Sequence, residues 1–264
     1  MHIRSLYRTG FAALLAILIT SLALAACGTS STTTSAPQQP LLAKDANDTT
    51  ITIPQQAPQH IVSLGATDSE ILAALGAGSR VVAVDYYTNY PADFAAKQKI
   101  TDSSGTANVE AIVALKPDLV LSFGGETHAT DQKLLAAHIS VVDLPQMDLT
   151  GSLMEMRLVG QLIHAESQAD ALVTSLQKRI DAVKNKVASA QPISVYMEAD
   201  YSEPGKPFVF GGGSFGDELI RDAGGTNIFG TTTANGGYPQ VSDETVIAAK
   251  PQIIILTEDP NYGG

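Results

Sequence analysis

Tryptophan is absent, cysteine occurs once, and basic residues are outnumbered, 16 Lys and Arg against 27 Asp and Glu. With only Cys27 available, an internal disulfide and a cysteine-rich metal site are both excluded. The formal charge of −11 argues against a nucleic-acid partner and against a polybasic membrane patch. The histidines, His2, His60, His128, His138 and His164, fall in no H-x-H or H-E-x-x-H spacing. No metal site is therefore assigned.

What is present begins with an export signal. Arg4 and Arg8 precede an apolar run from Phe11 to Ala26, which closes on Leu24-Ala25-Ala26-Cys27. The run is shorter than the roughly 20 apolar residues a membrane-spanning helix needs, and it ends in small residues rather than a basic stop-transfer cluster. Residues 1–26 read as a lipoprotein signal peptide and Cys27 as the lipidated residue that anchors the chain outside the cytoplasm, on the bacterial cell membrane. The Ser/Thr-rich segment 28–40 lacks apolar periodicity and reads as tether, so residues 27–47 are assigned to the lipidated cysteine and its flexible linker.

The remainder contains two internal echoes. Val109-Glu-Ala-Ile-Val-Ala-Leu-Lys-Pro-Asp-Leu-Val-Leu121 reappears as Asp243-Glu-Thr-Val-Ile-Ala-Ala-Lys-Pro-Gln-Ile-Ile-Ile255. Each copy reads as a short helix, a Lys-Pro break and a buried strand. Likewise Gly65 to Gly76 aligns with Gly213 to Gly224: each follows an apolar strand, Ile61–Leu64 or Phe208–Phe210, and enters a helix closed by glycine. The chain is therefore an α/β protein with two related, Rossmann-like lobes. Between them Ser152 and Glu155 read as a capping box for a helix to about His164. A second helix runs from about Ser167 to Ala188, with Ala169, Leu172, Val173, Leu176, Ile180, Val183 and Val187 on one face. Its roughly 22 residues span about 33 Å, enough for a rigid bridge between lobes flanking a cleft. The domain boundaries expected are 48–148 for the first lobe, 149–190 for the helical connector and 191–264 for the second lobe.

The stretch Phe208-Val-Phe-Gly-Gly-Gly-Ser-Phe-Gly-Asp-Glu-Leu219 satisfies both G-x-G-x-x-G and G-x-S-x-G. The dinucleotide reading needs an acidic residue about 20 positions on, and residues 224–242 contain none. A nucleophile elbow on Ser214 needs a histidine after the serine, and the last histidine is His164. Packing of strand against helix accounts for the glycines more simply. A secreted serine hydrolase using Ser214 remains the alternative from another functional class; otherwise no catalytic residue is assigned.

Aromatics are few and placed at strand ends. Tyr86, Tyr87 and Tyr90 cluster after the strand ending at Val84, Phe123 ends the strand from Leu119, and Tyr238 sits in an Asn-Gly-Gly-Tyr-Pro loop. Such rings suit the walls of a cleft for a large planar or apolar ligand. Glu110 and Glu244 open the two repeat helices, where a carboxylate complements the helix dipole. As equivalent exposed acids, one per lobe, they also fit a two-fold partner with basic pockets.

From about Thr50 to Pro260 the chain resembles the solute-binding proteins of ABC importers for cobalamin and iron-siderophore complexes. The segments that carry this are Ile61-Val-Ser-Leu64, Val84-Asp-Tyr-Tyr-Thr-Asn-Tyr-Pro91, Asn108-Val-Glu-Ala-Ile112, Leu115-Lys-Pro-Asp-Leu-Val120 and Tyr238-Pro-Gln-Val-Ser-Asp-Glu244. The resemblance implies two lobes joined by a long helix, no enzymatic activity and no resident cofactor. It further implies a metal chelate as ligand and an ABC-transporter permease dimer as partner. Glu110 and Glu244 match lobe-surface glutamates that dock to permease arginines. Tyr87, Phe123, Phe208 and Tyr238 match aromatic ligand contacts, cobalamin or a related corrinoid being the nearest cargo and ferric siderophore or haem the alternatives. Ser104 stands where the family can place a further tryptophan. Family members continue beyond the strand Ile253–Leu256, so the second lobe is expected to be incomplete.

Overall fold

The computed structural model describes residues 39–125, 127–145 and 148–257. The expected signal peptide, Cys27 and most of the tether lie outside them. Among the described residues, two sheets are joined by a helical pair.

The first lobe is a five-stranded, wholly parallel sheet. Its strands are β1 (Ile61–Ser63), β2 (Val81–Val84), β3 (Gln98–Lys99), β4 (Leu119–Phe123) and β5 (Val141–Leu144), in the order β3-β2-β1-β4-β5. The Val/Ile/Leu runs of β1, β4 and β5 have no polar alternation because helices cover both faces. Ile61, Val62, Leu119, Val120 and Leu121 are fully buried. Helices α1 (Ala66–Ala74), α2 (Ala92–Ala95), α3 (Val109–Ala114) and α4 (His128–Ala136) connect the strands. One core joins Ile61, Leu72, Phe94 and Leu121, and a second lies across the sheet among Val62, Ile112, Val120 and Leu134. Each fully buried side chain of this size contributes about 1.5–3 kcal/mol of transfer free energy. The strand order reverses about β1, so the loops after β1, β2, β4 and β5 leave a crevice at their carboxyl ends, where open α/β sheets bind ligands.

The connector is α5 (Leu149–Leu162) followed by α6 (Glu166–Val187). The expected capping box is corrected here. Asp148 is the N-cap, its side chain accepting from Gly151 N at 2.7 Å, while Ser152 Oγ donates to Asp148 O at 3.0 Å inside the helix. Glu155 is a buried mid-helix residue instead. The apolar stripe expected on α6 is covered at its start, where Ala169 joins the first-lobe core and Val173 is buried. Further along the stripe is open, and Val183 is 48% exposed. The far end of α6 meets the second lobe, with Lys184 paired to Asp222 at 2.8 Å.

The second lobe is built on β6 (Ile193–Asp200). Strand β8 (Gly225–Asn227) runs parallel to its first half and β9 (Ile253–Ile255) parallel to Val195–Met197, while β7 (Phe208–Val209) pairs antiparallel with its end. Helices α7 (Phe215–Asp222) and α8 (Asp243–Ala249) complete it. The two expected echoes are visible as geometry, with one correction: β9, expected to be buried, is exposed along its length, Ile254 to 60%, because among the described residues β6 is the strand that pairs with it. Gly76 and Gly224 both terminate their helices with left-handed backbone, φ 75° and 79°. Asn108 caps α3 by accepting from Ala111 N, and Ser242 caps α8 by accepting from Thr245 N.

Candidate functional site

Two adjoining cavities occupy the carboxyl-end crevice. The larger, about 470 Å³, lies between the lobes: Thr67, Phe123, Ser152 and Glu155 line it from one side, and Ser214, Phe215 and Tyr238 from the other. The second, about 410 Å³, is bounded by Leu64, Gly65, Asp85, Tyr87, Ser104 and Phe123. Thr67 and Phe123 belong to both, so the two form one trough. That size, with rings on the walls and a few convergent polar groups, is typical of a small-molecule site.

Tyr87 is held out over this trough. Asp85, buried after β2, accepts from Tyr87 N at 2.8 Å and binds the Thr88 hydroxyl. Thr88 Oγ1 in turn lies 3.0 Å from Ser69 Oγ, which donates to Ser63 Oγ at 2.9 Å. This buried hydroxyl chain fixes the loop to α1 and β1. The ring is 55% exposed, packs edge-on to Tyr86 with centroids 5.2 Å apart, and donates its hydroxyl to Ser103 O at 2.5 Å. Ser103 belongs to a tight loop closed by Asp102, which accepts from Ser104 N, Ser104 Oγ and Thr106 N. Those bonds, the Ser104 hydroxyl first, hold the Asp102 carboxyl below its ordinary range.

The second-lobe wall comes from the glycine-rich stretch. Ser214 is the N-cap of α7: its hydroxyl donates to Gly211 O at 2.7 Å and accepts from Asp217 N at 3.2 Å. With donor and one lone pair engaged in capping and the side chain buried, the hydroxyl has the geometry of a structural cap. The glycines serve packing. Gly213 has φ 82°, and a Cβ on Gly216 would stand 2.3 Å from the Phe210 ring. Phe210 in turn stacks at a tilt on Tyr238, centroids 5.5 Å apart, which fixes that ring at the cleft mouth.

The trough therefore brings together three of the four aromatics singled out in the sequence, Tyr87, Phe123 and Tyr238. Phe208 lies outside it. As the first residue of β7 it pairs with Asp200 and bridges to Gln240. Phe215, not singled out from the sequence, lines the cleft and is 37% exposed. Its signal was its place directly after the cap residue, in the same copy of the strand-turn-helix.

The floor of the trough is acidic. Glu155 lines it, and Asp68 lies behind on α1. Both oxygens of Asp68 and Oε1 of Glu155 are buried without a hydrogen-bond partner. Burial, then the charges of Glu155, Asp143 and Asp85, hold Asp68 well above the carboxylate range, and burial pushes Glu155 up to about 7. Among the described residues, no lysine, arginine or histidine lines either cavity. Among the described residues no cluster of three or more His, Cys, Asp or Glu has an arrangement that holds a metal ion.

Glu110 and Glu244 stand apart from the cleft, each exposed in the first turn of its repeat helix, α3 and α8. Hydrogen bonds from backbone and from the Ser242 hydroxyl hold Glu244 below its ordinary range.

Comparison with known proteins agrees with this geometry. A vitamin B12-binding protein of Yersinia pestis is 29% identical over 210 residues, which span 78% of this chain and 72% of the relative. Among solved structures, the periplasmic vitamin B12-binding protein of Vibrio cholerae superposes with a TM-score of 0.66 at 25% identity, over 79% of this chain and 80% of that one. A possible iron-binding (periplasmic solute-binding) protein from Staphylococcus epidermidis gives 0.67 at 27% identity, over 77% and 78%. A periplasmic haem-binding protein of Pseudomonas aeruginosa shares the fold, with a TM-score of 0.65 at 22% identity, over 75% of this chain and 71% of that one. Residues 61–261 match the family described as periplasmic binding protein, and the chain belongs to that family.

Proposed function

We propose that this protein is a membrane-anchored solute receptor that captures a corrinoid, cobalamin or a close relative, and hands it to the permease dimer of an ABC importer. The single observation that carries the ligand assignment is the character of the trough: rings of Tyr87, Phe123, Phe215 and Tyr238 on its walls and, among the described residues, no basic side chain in its lining. An anionic chelate needs cationic partners to offset the loss of its hydration, and here it would meet Asp85, Asp148 and Glu155 instead. A bulky chelate without net negative charge meets apolar rings and hydroxyls. The vitamin B12-binding relatives support the same cargo. In this reading Cys27 carries the lipid, and Glu110 and Glu244 present each lobe to basic pockets of the permease. The protein acts by binding rather than by catalysis, as the capping role of Ser214 supports.

The test is calorimetric titration with cobalamin, haem and a ferric siderophore. Cobalamin should bind tightest. Tighter binding of an anionic chelate would replace this assignment with the siderophore or haem alternative, and ester hydrolysis lost in Ser214→Ala would replace the receptor reading altogether.

A further inference from the structure

On one face of α5, Asp148, Ser152 and Glu155 follow each other at helical spacing and all line the cleft between the lobes. Glu155 is the deepest of the three, 3% exposed. Glu155 borders the cavity of about 470 Å³, and its Oε1 is buried behind that wall with no hydrogen-bond partner. A buried polar atom left unpaired bears its full desolvation penalty. A carboxyl at the wall of a ligand-sized cavity recovers that penalty by turning its unpaired oxygen to the ligand when the cavity fills.

We propose that Glu155 is a ligand-binding residue of the cleft floor, and that as a carboxylic acid it pairs with an uncharged primary carboxamide of the bound chelate. The inference rests on the corrinoid reading, because the rim of a corrin ring carries such carboxamides. An acid O–H donating to the amide oxygen, with the acid carbonyl accepting from the amide N–H, closes two hydrogen bonds in a planar ring. An ionised Glu155 retains only the acceptor half.

Burial favours the protonated form of Glu155, and acids stand around it. On α1, Asp68 is fully buried with both oxygens unpaired; on β5 lies Asp143; after β2 lies Asp85; and α5 itself adds Asp148. From α7, Glu218 reaches across to accept from Leu149 N at 2.6 Å. Arg157, on the same helix, pairs with Asp170 of α6 at 3.0 Å and does not line the cleft. Burial pushes Glu155 up to about 7 and Asp143 to about 6, so Glu155 is the group of the two that titrates near neutrality. Since the protonated form makes both bonds and the ionised form one, affinity is highest below about pH 7 and falls above it toward the weaker affinity of the ionised form.

The experiment is calorimetry of cobalamin binding between pH 5.5 and 8.5 with the wild type, Glu155→Gln and Glu155→Ala. The wild type should weaken above about pH 7 and take up a proton on binding there. Glu155→Gln, whose amide supplies both a donor and an acceptor, should lose the pH dependence, and Glu155→Ala should bind at least about tenfold more weakly at acid pH. If the alanine variant fails to fold, the contrast between wild type and glutamine variant decides. Wild-type affinity that is independent of pH, or that rises with pH as for a cationic group, overturns the inference while leaving the corrinoid reading intact. Absence of cobalamin binding at pH 6 sinks the corrinoid reading. Because the carboxamide partner is a feature of the corrin rim, that outcome sinks the inference as well.

Discussion

Lys116 and Lys250 hold the same left-handed backbone conformation, φ 49° in both, at the carboxyl ends of α3 and α8. Each is followed by proline and then by a strand, β4 or β9. A non-glycine residue adopts this region at a cost of about 1–2 kcal/mol, so its recurrence at matched positions marks one structural unit used twice. The unit presents an exposed glutamate in its first turn, Glu110 in one copy and Glu244 in the other. If both dock to a permease, the double variant Glu110→Ala/Glu244→Ala should lower uptake of the ligand in cells about tenfold while leaving solution affinity unchanged. Loss of affinity in step with uptake would show that these acids act on the ligand instead.

The aromatic walls give a second prediction. Tyr87→Ala removes a ring whose loop is held by Asp85 and Thr88, so the loop keeps its place when the ring is lost. Ligand affinity should fall roughly tenfold for Tyr87→Ala, and similarly for Phe123→Ala and Phe215→Ala, with additional loss of stability for Phe123 at the end of β4. Phe208→Ala should leave affinity within about threefold of wild type, since that residue lies outside the trough. A large effect of Phe208→Ala in calorimetry would mean that the bound state rearranges β7.

The lobes were readable because their signals are local. Lys-Pro breaks, Gly76 and Gly224, and unbroken Val/Ile runs each specify backbone without reference to partners. The cleft floor was not, because Ser152 and Glu155 match a capping box locally while Asp148 takes the cap in the structure. The glutamate is then turned inward by the packing of α5 on α1, which no short window contains. Phe208 illustrates the same limit. Its strand was legible, but its position relative to the cleft depends on antiparallel pairing with β6.

The glycine-rich stretch separates structural from catalytic roles. Ser214→Ala removes the N-cap of α7 and should destabilise the protein by about 1 kcal/mol. Asp217 N loses its acceptor. Gly216→Ala should be worse, because its Cβ would collide with the Phe210 ring that supports Tyr238. Thermal unfolding should therefore order the proteins as wild type, Ser214→Ala, Gly216→Ala. Equal melting temperatures for all three would contradict the packing role given to the glycine turn.

Asp68 makes stability depend on pH in a defined direction. Its folded-state pKa is raised, first by burial and then by the charges of Glu155, Asp143 and Asp85. A group raised in this way favours the folded state fully below its unfolded pKa, about 3.9, and that contribution is lost as pH climbs through the folded value. Glu155, raised to about 7, acts in the same sense between about 4.3 and 7. The wild type should therefore melt at progressively lower temperature as pH rises from 5 to 8. Asp68→Asn keeps the shape and removes the charge, so its melting temperature should gain on the wild type's across that range, with the largest advantage at pH 8. Because Asp68 has no hydrogen-bond partner to lose, the amide forfeits nothing that the acid had. A variant whose melting temperature tracks the wild type in parallel from pH 5 to 8 would show that Asp68 is ionised and compensated, and would move the origin of the acidic floor's strain to Glu155.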